Sequence, residues 1–431
     1  MIRGNYLYLK NFETGRWPAG NPETGYMNVD GGPTKTEILK ARRNPKTAHY
    51  WQLAFGKRDT EELYDIKKDP DCMVDLAKKP EYELLKRRME KEMTARLVEQ
   101  EDPRMFGRGE QFDRYPDMSG AYQFWNRTKA GEKVPSGWIS ETDFEPVASG
   151  LKSGWNSENE AEFRIQDFEQ QQHPDVMAKV NKTNGYSLLD NATGIVARKD
   201  RVLLIKVGET GGDTLQIKIQ NLDCPNGDGY ENGSSYYLLH EGMNRIIPEN
   251  DGLVYVLFHT RGETTGKKVK VHFLTGEVNG YFDIKKHKAS QWRTLLDKAT
   301  YKYFDILGAY THLTFPVESF RQYTPDGKAL VEVFDRIVAL EHEFMGLNKY
   351  TDKRFKNRQY CHVVNKGYMY APNYRTAYGI GTMEKVCDID KLTGIALWGP
   401  AHEIGHINQI RPGAKWHGMT EVTNNIYCLY V

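Results

Sequence analysis

Cysteine is scarce in this chain and scattered. Cys72, Cys224, Cys361, Cys387 and Cys428 are five among 431 residues, an odd number with no CxxC pair. That spacing excludes a disulfide framework and a cysteine-ligated zinc site. An excess of either charge is also missing: 59 basic residues balance 58 acidic ones, for a formal +1. A dedicated nucleic-acid binder would show a basic excess or stripe, so that class is excluded. No apolar run approaches the roughly 20 residues that span a bilayer. The most apolar pieces, "GLVYVLFH" and "RVLLIKVG", have the length of strands. The start, "MIRGNYLYLKNFETG", lacks the apolar core of a signal peptide. There is no internal repeat.

The chain is too long for one ordinary core, so several domains are expected. Residues 1–116 open with a strand-like "NYLYLKNF". A Gly/Pro-rich loop, "RWPAGNPETGYMNVDGGPT", follows. Then comes a helix in "KPEYELLKRRMEKEMTARLVEQE", with Pro80 near its start and Leu84, Leu85, Met89 and Met93 at helical spacing. Residues 117–153 mix Gly, Ser, Pro and charge and read as a linker. Residues 154–277 carry short alternating runs, among them "RVLLIKVG", "TLQIKIQNL", "SYYLLHEGMNRI", "GLVYVLFH" and "KVKVHFL", separated by glycine turns; the pattern predicts a β-sandwich. Residues 278–431 read as largely helical, with helices expected in "ASQWRTLLDKATYKYFDILG" and "PDGKALVEVFDRIVALEHEFMGLNKY" and strands in "RQYCHVVNKGYMYAPNYRTAYGIG".

Near the end stands "WGPAHEIGHINQ", with His402-Glu403-x-x-His406. On a helix, positions i and i+4 share a face, so both imidazoles can reach one metal ion. Glu403 is then placed to act as general base on a water that zinc activates. Pro400 lies near the expected helix start, and Pro412-Gly413 end it. The bland alternative is a helix with two solvated histidines. A catalytic zinc needs a third protein ligand and one open position. The favoured third ligand is Glu421 in "GMTEVTNNIYCLYV", separated from His406 by fourteen residues and expected on a following helix; His417 in "KWHGMT" is the alternative. The pair His342-Glu343 in "LEHEFMG" has Gly346 where a second histidine would be needed and reads as ordinary helix surface. The segment "NKGYMYAPNYRTAYG", with Tyr370 and Tyr374, is a candidate edge strand for peptide binding. Trp416 is either a sugar-stacking platform or a core residue.

"WGPAHEIGHINQ" followed by "GMTEVTNNIY" resembles the enhancin-like zinc metallopeptidases, which include mucin-targeting enzymes of gut bacteria. The resemblance extends through "HPDVMAKVNKTNGYSLLDNATGI", "NDGLVYVLFHT", "TGEVNGYFDIKKHK", "FPVESFR" and "LEHEFMGLNKY", covering about 154–431. It implies a β-sandwich followed by a zincin-like domain of gluzincin type. It implies Zn2+ held by His402, His406 and Glu421, with Glu403 as base. It implies O-glycosylated, mucin-type glycoprotein substrates and a secreted or cell-surface location. It also implies a catalytic domain that continues past the third ligand, whereas the chain stops ten residues after Glu421. The alternative expectation is therefore an inert, truncated or fused chain whose sandwich binds glycans or protein. Residues 1–116, through "NFETGRWPAGNPETGYMNVDGGPTKTEIL" and "EDPRMFGRGEQFDRYP", resemble the C-terminal subdomain of a sulfatase, an α+β fragment. The C/S-x-P-x-R motif that sulfatases mature to formylglycine is absent, so sulfatase activity is not expected.

Overall fold

The computed structural model describes residues 1–18, 32–42, 44–115, 127, 130–133, 154–156, 158–225, 228–349 and 354–431. The chain forms two compact units, Met1–Glu141 and Thr142–Val431. The expected linker at 117–153 lies outside the described residues apart from 127 and 130–133, and so does most of the Gly/Pro-rich loop after Arg16. Among the described residues, no helix is long and apolar enough to cross a membrane.

In the first unit, β1 (Ile2–Arg3), β2 (Tyr6–Lys10) and β3 (Glu61–Asp65) form an antiparallel sheet with β2 in the middle. Helices α1 (Pro33–Ala41) and α2 (Ala48–Phe55) lie between β2 and β3 in sequence. The predicted long helix is α3 (Glu83–Glu99). Its Met89 is fully buried with Tyr8 and Leu63 in a small core. Leu84, expected on the same apolar face, is instead 85% exposed.

In the second unit, a short helical turn at Ala161–Arg164 leads into β4 (Ile165–Glu169), β5 (Gln171–Gln172) and α4 (Pro174–Asn181). Nine strands follow: β6 (Asn191–Ala197), β7 (Leu203–Val207), β8 (Leu215–Gln220), β9 (Ser234–Leu239), β10 (Gly242–Ile246), β11 (Gly252–Leu257), β12 (His259–Thr260), β13 (Lys268–Phe273) and β14 (Glu277–Val278). One sheet has the order β10-β7-β13-β4 and the other β14-β6-β11-β8-β9. Ile205 and Val271 from the first and Ile217 and Val254 from the second belong to one buried cluster, as two facing sheets require. Each of the five runs read as strands forms strand structure.

A six-stranded mixed sheet comes next: β15 (Phe282–Asp283), β16 (Tyr303–Leu307), β17 (Thr311–Pro316), β18 (Gln359–Val364), β19 (Met369–Tyr370) and β20 (Arg375–Gly379), in the order β15-β16-β17-β18-β20-β19. Strands β17, β18 and β20 run parallel, and β19 pairs antiparallel at the edge. Helices α5 (Trp292–Asp297), α6 (Val317–Tyr323), α7 (Gly327–Phe344), α8 (Trp398–Asn408) and α9 (Thr420–Tyr430) accompany it. The expectation of a largely helical segment is thus corrected to a mixed sheet with helices. The predicted helix in "ASQWRTLLDKATYKYFDILG" divides into α5 and β16. All five residues of β16 are buried. A strand covered on both faces reads as a continuous apolar run and hides its period of two.

The sheet and the sandwich share one hydrophobic cluster, from Phe163 to Cys428. A polar seam runs through it. Buried Asp305 accepts from Tyr255 Oη of β11 at 2.9 Å and from Thr314 Oγ1 at 2.6 Å, and His312 Nε2 lies 3.1 Å away. His312 Nδ1 donates to Leu189 O at 2.9 Å. A buried carboxylate with this many donors is matched rather than stranded.

Candidate metal centre

Helix α8 carries the His-Glu-x-x-His motif, and two glycines let its neighbours approach. A Cβ on Gly399 would lie 2.6 Å from Met369 Sδ of the edge strand. A Cβ on Gly405 would lie 2.4 Å from Asn424 Oδ1 of α9. The helix is thereby held between β19 and α9. Asn424 Nδ2 donates to His402 O at 2.6 Å, and Gln409 Nε2 donates to Thr420 O at 2.9 Å.

This packing brings His402, His406 and Glu421 together. His402 Nε2 lies 3.1 Å from His406 Nε2 and 3.0 Å from Glu421 Oε2, and His406 Nε2 lies 3.1 Å from the same oxygen. Three corners of a tetrahedron around an ion bound at about 2.0–2.1 Å are separated by about 3.3 Å, close to this triangle. His402 Nδ1 donates to Asn425 Oδ1 at 3.2 Å, which leaves its Nε2 as a lone pair. That lone pair faces a ring nitrogen and a carboxylate oxygen, an arrangement that repels unless a cation sits between them. The donor set, two imidazoles and a carboxylate, therefore fits a divalent ion such as zinc with one position open.

The three donors and Glu403 line a cavity of about 340 Å³, together with Asn184, Met369, Tyr370, Asn373 and Lys415. Burial pushes the Glu403 carboxyl up to about 7; His402 pulls it down and Glu421 adds to the rise. Burial also lowers the His406 pKa against the pull of Glu421, which favours the neutral ring a metal needs. For Glu421, burial works upward, but the two imidazoles beside it outweigh that effect and the carboxyl sits below its ordinary value.

Of the other candidates, Tyr370 lines this cavity and its hydroxyl donates to Asp228 at 3.3 Å. Tyr374 lines an adjoining depression and donates to Glu231 at 3.3 Å. Trp416 is 53% exposed, with its Nε1–H donated to Gly413 O, so the core alternative is corrected. His417 is exposed and stands outside the donor cluster.

Asn425 was not anticipated, although it falls one helical turn beyond Glu421 and that spacing was visible. A partner that orients a ligating histidine typically contributes 10–100-fold to metal affinity. Asn425→Ala is expected to weaken zinc binding by about 10–100-fold. Asn425→Asp, which also accepts from Nδ1–H, keeps it. Chelator competition reads the affinity, and the unfolding temperature of the metal-free protein should not move.

His342 is not surface, as expected, but fully buried behind α8. Its Nε2–H donates to Tyr186 Oη at 2.8 Å, Tyr186 Oη–H donates to Asn408 Oδ1 at 3.1 Å, and Asn408 Nδ2 donates to Glu341 Oε2 at 2.8 Å. His342 Nδ1 is buried without a hydrogen-bond partner, so a proton placed there would be stranded and the ring stays neutral. Burial, with the charge of Arg354 adding to it, lowers the His342 pKa to about 4. The unfolded ring takes up a proton below about 6.5, so the contribution of His342 is whole above that pH and is lost as the pH falls to about 4. The loss amounts to about 3 kcal/mol. Denaturant midpoints at pH 7.5 and 4.5 should show His342→Gln with a flatter pH dependence than wild type. Glu341, held above its ordinary value by burial, is common to both proteins and cancels in the difference.

Residues 277–431 match the family model Peptidase M60, enhancin and enhancin-like. Among solved structures, the chain is similar to a metallopeptidase in complex with Tn antigen, at 28% identity and TM-score 0.58, covering 64% of this chain and 52% of that one. It is similar to a metallopeptidase from Bacteroides thetaiotaomicron, at 26% identity and TM-score 0.57, covering 64% and 48%. A functionally unknown conserved protein from Bacillus anthracis str. Ames matches at 26% identity and TM-score 0.54, covering 62% and 55%. The chain thus spans about half the length of the solved structures it matches. No curated protein matches it.

Proposed function

We propose that the second unit is a zinc-dependent endopeptidase of the M60 kind, gluzincin in type, that cleaves O-glycosylated, mucin-like glycoproteins at or outside the cell surface. The observation that carries the proposal is the convergence of His402 Nε2, His406 Nε2 and Glu421 Oε2 within 3.0–3.1 Å of one another beside the buried Glu403. The glycoprotein class is supported by the Tn antigen bound to the metallopeptidase that this chain resembles at 28% identity.

In this reading His402, His406 and Glu421 hold the ion. Zinc there would polarise the scissile carbonyl and lower the pKa of a water towards about 7. Glu403 accepts the proton of the attacking water at its carboxylate and returns it to the leaving amine. A carboxyl raised towards neutrality suits both halves of that transfer. Among the described residues, strand β19 pairs only with β20, which leaves its other edge to pair with an extended peptide. Tyr370, at the end of β19, lies in the cavity wall where such a peptide would pass.

For residues 1–116 we propose no hydrolase activity. The test of the main proposal is metal analysis of reconstituted protein together with cleavage of an O-glycosylated protein and its deglycosylated form. One zinc per chain and cleavage of the glycosylated form alone are expected. A chain that takes up no zinc overturns the proposal.

A further inference from the structure

An open depression of about 540 Å³ adjoins the metal cavity, and Asn184 and Asn373 line both. Its wall carries Lys179, Lys182 and Arg411, while Lys415 lies in the metal cavity itself. The backbones of Lys182 and Arg411 are fixed by the fold. Lys182 ends α4 in the left-handed conformation, at φ 57°. Arg411 N donates to Lys182 O at 2.8 Å, and Arg411 Nη2 donates to Asn184 Oδ1 at 2.5 Å, a neutral partner.

The acids nearby are already engaged. Asp175 pairs with Arg261 at 3.0 Å. Glu231 pairs with Arg375 at 2.9 Å. Glu421 belongs to the metal donors. Among the described residues, no carboxylate forms an ion pair with Lys179, Lys182, Arg411 or Lys415. Lys179, Lys182 and Arg411 outnumber Asp175 in the wall of the depression, whereas Lys415 faces Glu421; the excess of positive charge draws an anionic group entering the groove.

We infer that the groove beside the metal cavity is a subsite for an anionic substituent of the substrate, a carboxylate or sulfate borne on the glycan or on the peptide. The inference rests on the peptidase reading for its substrate and names the charge class that substrate carries. Tyr374, in the same wall, offers a ring face beside the cations.

Two matched pairs of O-glycopeptides test it: one with and without a terminal sialic acid, the other with Asp or Asn at one peptide position. Binding is measured to the Glu403→Gln protein by calorimetry, and kcat/KM is measured with wild type. The anionic member of at least one pair should be favoured about ten-fold at low salt, the sum of several exposed charge contacts, and the preference should shrink as ionic strength rises. The pair that shows the preference identifies whether the charge sits on sugar or peptide. In Lys179→Gln/Lys182→Asn the ratio should fall towards one; Asn is chosen because it tolerates the left-handed conformation. The readout is a ratio, so a general loss of activity cancels, and the unfolding temperature of the double variant checks its fold. Equal binding of both members of both pairs by the otherwise intact protein overturns the inference, as does a ratio that the double variant keeps. Preferential binding without cleavage by wild type supports the subsite and overturns the peptidase reading instead.

Discussion

Glu403→Gln is expected to lower kcat/KM on an O-glycosylated protein by about 10²–10⁴-fold, the usual contribution of a general base, while one zinc per chain stays bound. The amide has the size of the carboxylate but cannot take a proton. The three donors are other side chains, so the metal site keeps its composition. The variant also separates catalysis from folding. Burial holds the Glu403 carboxyl at about 7, so the metal-free fold loses stability as the pH rises from about 4.5 through 7. Gln carries no such penalty. The metal-free variant should therefore be more stable than wild type at pH 8 by about 1–3 kcal/mol and no different at pH 4. A protein that loses both cleavage and stability at pH 8 contradicts the assignment of Glu403 as base.

Removing a donor acts on the metal first. His406→Ala and Glu421→Ala are each expected to weaken zinc binding by more than about 100-fold, beyond the range seen for partners that only orient a ligand. Cleavage falls with zinc occupancy. The Glu421 side chain is 74% exposed, so its loss should change the stability of the metal-free protein by less than about 0.5 kcal/mol. His417→Ala is the control: that residue lies outside the donor cluster and its variant should bind zinc as wild type does. Equilibrium dialysis against a competing chelator measures all three. Unchanged affinity in Glu421→Ala would falsify the ligand set.

The convergence of His402, His406 and Glu421 was legible because a helix repeats every 3.6 residues and its signals are local. His402 and His406 needed only that spacing, and Glu421 only the distance a turn and a second helix require. The sandwich strands were legible for the same reason, since alternation and glycine turns are read within a few residues. The strands of the mixed sheet were partly hidden by burial on both faces, as "YKYFDIL" shows. The parts that orient the site were not legible. Asn184 donates to His406 O from 222 positions away, and the Tyr186–Asn408 contact spans the same separation. His342 looked like surface because a buried polar residue on an amphipathic helix has the same sequence signature as an exposed one. Only its partner, Tyr186, distinguishes the two cases.

The contacts of residues 182–186 bear on how this chain is divided. Asn184 caps the end of the motif helix through His406 O and Ile407 O, and Lys182 O receives the Arg411 amide just beyond it. All of these come from the segment at the end of α4, between sandwich strands β4 and β6. The stretch that matches the M60 model, 277–431, is therefore not the stretch that folds the metal centre. Excised at 277, it would lose the clamp on its ligand helix and uncover Asp305, whose partner Tyr255 lies upstream. A graft of this site into another scaffold has to carry the chain from Ile165 onward, because β4 completes the sheet through β13.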